Sequence, residues 1–203
     1  MKKYKLTTQK LTTHNGFQWI VGKKETTSGE GGLCDKGFLH YYHHPLLAVL
    51  LNSIHADIKN PRLFEVKAKG KHLDDKSLKG GCTEMTLIKE IELPVITKTQ
   101  KIAFAVLCAK KAYKEIKWNK WANDWLTNKD RTSATAHAAA HAATAHAAAD
   151  TTAAYAARIA ARIAYAANAA SAARVATYAA YAAHATYGIN INLITIAKKA
   201  MKY

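Results

Sequence analysis

Between Ala134 and Ala185, 30 of 52 residues are alanine, and this stretch contains no glycine, proline or lysine. Alanine is the strongest helix former, because its side chain loses no conformational entropy when a helix forms. A continuous helix of this length would extend roughly 80 Å, at about 1.5 Å per residue. The tract therefore predicts a long helical element, either one rod or a helical hairpin.

Polar residues mark where helices in this tract begin and end. Residues 128–133 include several residues that favour helix N-caps, and Asp150-Thr151-Thr152 repeats that signal inside the tract. Gly188 is a typical residue for the position after a helix. We therefore predict two helices, over about 133–149 and 151–187.

The larger residues of the tract recur mostly every three positions, so they spiral around a helix that has 3.6 residues per turn. Alanine is then exposed on almost every side, which suits close packing on several neighbours. Those neighbours are helices of the same chain, other copies of it, or a groove in another protein. The tract residues that we expect to contact a partner are Arg158, Arg162, Arg174, Tyr178 and Tyr181.

Three tryptophans precede the tract on one predicted helical face. A helix is predicted to begin near Thr99 and to continue within a 96–131 segment, where Trp118, Trp121 and Trp125 follow at helical spacing. Tryptophan dominates many binding surfaces, so this stripe is a candidate partner-binding site. The alternative is that the three rings anchor the helix on its own chain.

The first 95 residues have a different pattern, which predicts a small mixed module. Short alternating or β-rich runs predict strands at 3–8, 17–24, 62–69 and 83–93, and Pro45 opens a predicted short helix. The predicted fold class is therefore α+β, with a basic α+β module at 1–95, the tryptophan helix at 96–131, alanine-rich helices at 132–187 and a short amphipathic helix at 188–203.

The charge of the chain favours acidic partners. Residues 1–131 carry 24 Lys and Arg against 13 Asp and Glu, and 22 of those basic residues are lysine. Lysine-rich surfaces fit generic electrostatic attraction, including non-specific nucleic-acid binding, better than sequence readout by arginine. Three widely spaced cysteines form no disulfide framework, and no familiar catalytic or nucleotide-binding motif is present. We therefore predict no cofactor, and an enzyme is the less favoured class.

Two groups of residues are candidate metal or polar clusters. Cys34, His40, His43 and His44 lie close in sequence, but a structural zinc site needs four convergent ligands, and the usual second ligand pair is missing. The alternative is a turn in which these rings pack locally. His137 and His141 have the i, i+4 spacing that lets two imidazole rings bind one ion, but no further ligand lies nearby at a suitable spacing. No metal site is predicted.

Three segments carry a resemblance to a known group of proteins. These are Cys34-x2-Gly37-Phe38-x-His40 followed by Pro45, the run from Trp121 to Ser133 before the alanine tract, and the ending Leu193 to Ala200. Together they resemble small uncharacterised proteins encoded by bacteriophages and prophages, although Leu39 is inserted between Phe38 and His40. The resemblance implies a phage or prophage origin, hence action in the bacterial cytoplasm or within a virion.

Three functions follow from these patterns. The leading hypothesis is a non-enzymatic phage-encoded binding protein that acts on a host macromolecule, with antagonism of a host defence system as its purpose. The alternative is a structural protein that self-assembles through alanine-rich helices into an oligomer, filament or virion component. A second alternative is an enzyme that needs a His–Tyr–Glu set, because the Gly-Phe-His-Tyr-Tyr turn within residues 37–42, with Glu84 or Glu90 on a later strand, resembles ADP-ribosyl-transfer folds. No membrane span is predicted, since the tract is too weakly apolar.

Overall fold

The computed structural model describes residues 2–75, 78–145, 151–165 and 191–203. Contacts divide the chain into two compact units, residues 1–95 and 96–203. The first is built on an antiparallel sheet and the second is helical, which confirms the predicted α+β class. Across the described residues, no helix is long and apolar enough to cross a membrane.

The first unit contains a five-stranded antiparallel sheet and one helix. Its elements are β1 (Lys3–Thr7), β2 (Lys24–Thr26), β3 (Leu39–Tyr41), α1 (Pro45–His55), β4 (Arg62–Asp74) and β5 (Gly80–Ile91). The strand order is β1-β4-β5-β2, and β3 pairs with the other end of β5. An isolated bridge between Tyr4 and Tyr42 brings β1 next to the end of β3, so the sheet curves back on itself.

The register of β1 on β4 gives the two faces of β1 different partners. Leu6 lies opposite Leu63, and Lys5 lies opposite Phe64. Phe64 belongs to a buried cluster with Trp19, Tyr41 and other apolar residues. Because opposite residues of an antiparallel pair project to the same face, Lys5 lies on the side of the sheet that carries this cluster.

Several predictions for the first unit agree with the structure, and one is wrong. Strands β1, β4 and β5 and helix α1 lie where the sequence patterns place them. The predicted strand at 17–24 is largely a loop, because Trp19 folds inward and its indole nitrogen donates to Thr13 Oγ1 at 2.9 Å. Strand β5 begins with Gly80 and Gly81, and the missing side chain of Gly81 leaves room for Leu33, because a Cβ there would lie 2.6 Å from Leu33 Cδ1.

The second unit consists of helices that pack around one buried helix. The helices are α2 (Lys98–Ala112), α3 (Ile116–Leu126), α4 (Ser133–Ala145), α5 (Thr151–Tyr165) and α6 (Leu193–Ala200). Every residue from Ile102 to Ala109 in α2 is buried, and α3, α5 and α6 all contact α2. A helix that is apolar on all sides requires such a surround.

The alanine-rich helices pack side by side over their described residues. Helix α4 contacts both α5 and α3, and α5 also contacts α2. Small side chains permit this close approach on more than one side. This part of the tract is therefore a hairpin rather than a rod. The predicted helix over 166–187, the stop at Gly188 and residues 146–150 lie outside the described residues.

The predicted segment 96–131 forms two helices rather than one. Helix α2 ends because Tyr113 adopts an extended backbone conformation (φ −100°, ψ 122°). The Glu115 carboxylate then accepts hydrogen bonds from the backbone N–H groups of Lys117 and Trp118, at 2.9 and 2.5 Å. This cap starts a second helix at Ile116, which helical periodicity alone does not reveal.

Candidate functional site

A cleft of about 1060 Å³ lies within the first unit. Its walls come from β1, the loop around residues 13–19, the segment 27–42, the end of α1 and Lys79 just before β5. Loops placed on a sheet in this way are common positions for binding sites. Its volume is sufficient for a small organic ligand.

Lys5 is the buried cation of this cleft. Its ammonium donates to the backbone carbonyl of His40 at 2.8 Å and lies over the Trp19 ring, 4.9 Å from the ring centroid. Burial lowers the pKa of Lys5 to about 8. Among the described residues, no carboxylate forms an ion pair with this ammonium.

Two histidines share the cleft with Lys5 and are held in the neutral form. Burial lowers the pKa of His40, and the nearby Lys5, Lys79 and His14 lower it further. Burial lowers the pKa of His55 to about 3, and Lys79 and His40 add to the effect. The lysine ammonium groups thus oppose protonation of both histidines, because a positive charge disfavours a second one nearby.

Aromatic rings form much of the remaining wall. Trp19, Phe38 and Tyr42 are buried, whereas Phe17 is 37% exposed and lies 5.0 Å from Trp19 between ring centroids. Tyr42 stacks on His55 at 5.6 Å. The cleft therefore combines basic groups with flat apolar surfaces, a combination that suits a ligand with an aromatic ring and a negative charge.

Two carboxylates, Glu30 and Asp35, also border the cleft. The Asp35 carboxylate accepts a hydrogen bond from the backbone N–H of Gly32 at 2.6 Å, so it stabilises its own loop. Neither carboxylate contributes to the perturbed pKa values of Lys5, His40 and His55. The electrostatic environment of those three groups is therefore basic.

The four residues of the predicted Cys/His cluster do not converge. The His40 ring contacts the backbone carbonyl of Leu33 inside the cleft, and Cys34 is exposed and accepts from Lys79 Nζ at 3.2 Å. His44 caps α1 by accepting from the Leu46 N–H at 3.2 Å. The local packing alternative describes this segment, apart from the place of His40 in the cleft.

His43 belongs to a separate polar group. Its Nδ1 lies 2.7 Å from Lys3 Nζ, and its Nε2 lies 2.5 Å from Asp74 Oδ2. Because an ammonium can only donate, Nδ1 accepts and Nε2 carries the proton toward Asp74. Lys3 also lies over the Tyr41 ring, 4.8 Å from its centroid. This arrangement ties β1 to the ends of β3 and β4.

The tryptophan stripe lies in the interior of the helical unit. Trp118, Trp121 and Trp125 are all buried, and Trp118 Nε1 donates to the Ala157 carbonyl of α5 at 3.2 Å. This burial agrees with the alternative interpretation of the sequence, in which the three rings anchor their helix on its own chain. The three rings therefore contribute to packing within the unit rather than to an exposed binding surface.

The remaining candidates in the alanine tract are only partly described. Arg162 is exposed and Arg158 is half-buried on α5, while Arg174, Tyr178 and Tyr181 lie outside the described residues. His137 and His141 have their Nε2 atoms 3.3 Å apart at the surface of α4. Within the described ranges, no group of three or more His, Cys, Asp or Glu is arranged to hold a metal ion.

Glu84 and Glu90, the carboxylates of the enzymatic alternative, have basic partners on the sheet. Glu90 pairs with Arg62, with Oε2 2.5 Å from Nη2, and Glu84 lies 3.7 Å from Lys24 Nζ. Neither is among the residues that border the cleft around His40. The geometry therefore does not assemble the His–Tyr–Glu set on which that alternative depends.

Sequence reasoning missed most of the residues that form the cleft. Lys5 alternates with apolar neighbours and has the pattern of a solvent-facing strand residue. His14, His55 and Lys79 come from separate segments, and only the tertiary fold places them together. The one local signal was Trp19, because a tryptophan in a β-rich run predicts a buried position.

Comparison with known proteins adds one similarity. Residues 1–99 match the model of a family described as a domain of unknown function, DUF7666. The match includes the whole sequence of the first unit and the first residues of α2. No curated protein and no solved structure matches the chain. The cleft thus lies entirely inside the part of the chain that resembles this family.

Proposed function

We propose that this chain is a non-enzymatic binding protein, encoded by a phage or prophage, that docks on an acidic macromolecule of its bacterial host. Its purpose in this proposal is to antagonise a host defence system. The observation that carries the proposal is the excess of positive charge on the helical unit. Residues 96–203 hold 15 Lys and Arg against 4 Asp and Glu.

Part of this charge comes together around Lys110, near the end of α2. We define the lysine face as Lys110, Lys114 and Lys199. The pKa of Lys110 is lowered first by burial and then by the charges of Lys199 and Lys114, so the three groups are close enough to repel. Lysines at helix C-termini are favourable for the helix dipole, and an anion bound nearby would reduce their mutual repulsion.

The self-assembly alternative has less support in the described residues. It was motivated by alanine surfaces on several sides of the tract. In α4 and α5, Ala136, Ala140, Ala153, Ala157 and Ala160 are buried within a single chain. These alanines are therefore already used for intramolecular packing, and the charged surface is the stronger indication of a partner.

The proposal can be tested by charge reversal on the full-length protein. Lys114→Glu with Lys199→Glu changes the lysine face, and Lys10→Glu with Lys59→Glu makes the same charge change at exposed positions of the first unit. Each protein is used to capture partners from host lysate, with and without nuclease, over a range of salt concentrations. We expect one partner that the wild type and the Lys10/Lys59 variant retain and the lysine-face variant loses.

Two other results would contradict the proposal. The first is that neither nucleic acid nor protein is retained by the wild type at low salt, where lysine-driven binding is strongest. The second is that both charge-reversal variants capture the same partner equally well. A single oligomeric mass for the wild type that the lysine-face variant retains would instead favour self-assembly through the alanine-rich helices.

A further inference from the structure

The cleft of the first unit collects basic groups from four separate parts of the chain. Lys5 comes from β1, His40 from β3, His55 from the end of α1 and Lys79 from the residue before β5. The pKa of His40 is lowered by burial and by Lys5 and Lys79, so these groups interact across the cleft. Bringing basic groups together in a partly buried site costs free energy and adds nothing to a hydrophobic core.

The buried position of Lys5 is expected to destabilise the free protein. A lysine ammonium in an apolar interior loses hydration, and here one carbonyl and one indole ring replace it. A methionine of similar length would fill the same space without that cost. Buried charges that weaken the fold are typical of binding and catalytic sites, where a ligand supplies the missing partner.

The walls and size of the cleft define the rest of the ligand. Its volume of about 1060 Å³ far exceeds the space that an inorganic anion needs. The partly exposed Phe17 ring borders the cleft beside the buried Trp19 ring, and flat aromatic surfaces of this kind favour stacking. A ligand that uses both features has a planar ring and a compact negative group.

We propose that this cleft binds a nucleoside monophosphate unit, with its phosphate at the Lys5 ammonium and its base against the aromatic wall near Phe17. Two sources supply this chemistry, a free nucleotide and the 5′-phosphorylated end of a nucleic-acid strand. The site lies within the first unit, so it does not depend on the partner proposed for the lysine face of the helical unit.

Calorimetric titration of the full-length protein tests the ligand class. The probes are AMP, adenosine, inorganic phosphate and a short 5′-phosphorylated single strand. We expect AMP to bind at least about tenfold more tightly than adenosine or phosphate, because each of these lacks one half of the contacts. A strand that binds more tightly than AMP identifies the strand end as the source, and the reverse order identifies the free nucleotide.

Lys5→Met tests the assigned contact, with Lys10→Met as the matched control that removes the same charge from an exposed position. We expect Lys5→Met to weaken AMP binding by about tenfold or more while the protein becomes more resistant to denaturant. A lysine with a purely structural role would behave in the opposite way. Lys10→Met should leave both the affinity and the stability close to those of the wild type.

A second pair of variants tests the aromatic wall. Phe17→Ala should reduce AMP affinity to nearly that of inorganic phosphate, whereas Ile20→Ala, at a neighbouring exposed position, should not change it. The proposal is overturned if AMP binds no better than inorganic phosphate. It is also overturned if Lys5→Met binds AMP as the wild type does, because the buried ammonium then takes no part in binding.

Discussion

The two units of the chain bury different kinds of residue. Among the described residues, the buried polar or charged side chains are Lys5 and Thr7, and both belong to the sheet unit. The buried residues described in the helical unit are apolar, with alanines that allow close approach and tryptophans that supply bulk. The helical interior thus serves stability, and its proposed function lies on its charged surface. In the sheet unit, the burial of Lys5 beside the cleft is expected to lower stability.

The largest effect that this comparison predicts is a loss of stability in the helical unit. Trp118 is fully buried and bonds to α5, so Trp118→Ala should lower the free energy of unfolding by about 3–5 kcal/mol. Trp118→Phe keeps most of the volume and should cost less. Denaturant unfolding followed by the helical circular dichroism signal measures both. Ile116→Ala, at a position 84% exposed, is the control and should have little effect.

A smaller loss is expected when a buried alanine is enlarged. Ala157→Leu places three extra carbons where α5 packs, and overpacking of this kind costs about 1–3 kcal/mol. The exposed Ala138 of α4 provides the control, since Ala138→Leu should change stability by less than about 0.5 kcal/mol. Equal effects of the two substitutions would show that α5 is not packed as described.

In the sheet unit, replacement of the buried Lys5 should raise the free energy of unfolding rather than lower it. Holding Lys5 charged at neutral pH, with its pKa at about 8 rather than 10.5, costs on the order of 3 kcal/mol. The lost bond to the His40 carbonyl offsets part of this, so Lys5→Met should raise the free energy of unfolding by about 2 kcal/mol. Denaturant titrations near neutral pH measure the difference between the wild type and the variant.

The pH dependence of that difference has a defined direction. Between pH 8 and 10.5, the unfolded wild type binds more protons at Lys5 than the folded protein does. Its free energy of unfolding therefore rises with pH in this window relative to Lys5→Met, and the advantage of the variant shrinks. A constant difference across the window would mean that Lys5 is solvated in the folded protein.

The smallest predicted effect concerns the boundary between α2 and α3. Glu115→Ala removes the side chain that caps α3 and should cost about 1 kcal/mol. Glu115→Asp retains a carboxylate at the cap and should recover most of the loss. If Glu115→Ala has no effect on unfolding, the buried tryptophans of α3 rather than the cap determine its stability.

Local patterns predicted the fold class and many of its elements. Alternation in β4 and β5, the proline that opens α1 and the cap signal before α4 are properties of neighbouring residues, so they can be recognised in the sequence. The break after Tyr113 was missed because periodicity continues across it. Trp19 lies in a run whose β-rich pattern predicted a strand, but it enters the core from a loop.

The cleft could not be predicted from the sequence, because its residues come together only through tertiary contacts. Lys5 alternates with apolar residues as exposed strand lysines do, and its burial follows from the pairing of β1 with β4 and from Trp19 covering it. His55 and Lys79 reach the same site from distant parts of the chain. Only the segment from Cys34 to His44 could be selected beforehand, and of its four candidates only Cys34 and His40 border the cleft.

The buried position of α2 also determines when the helical unit can be completed during synthesis. Gln100 on α2 donates to the Met201 carbonyl at 3.1 Å, across 101 residues of sequence. At about 5–20 residues per second, the ribosome needs roughly 5–20 s to make that interval. The sheet unit can fold during this time, while the apolar side of α2 that will face α6 stays open to chaperones and to other nascent chains.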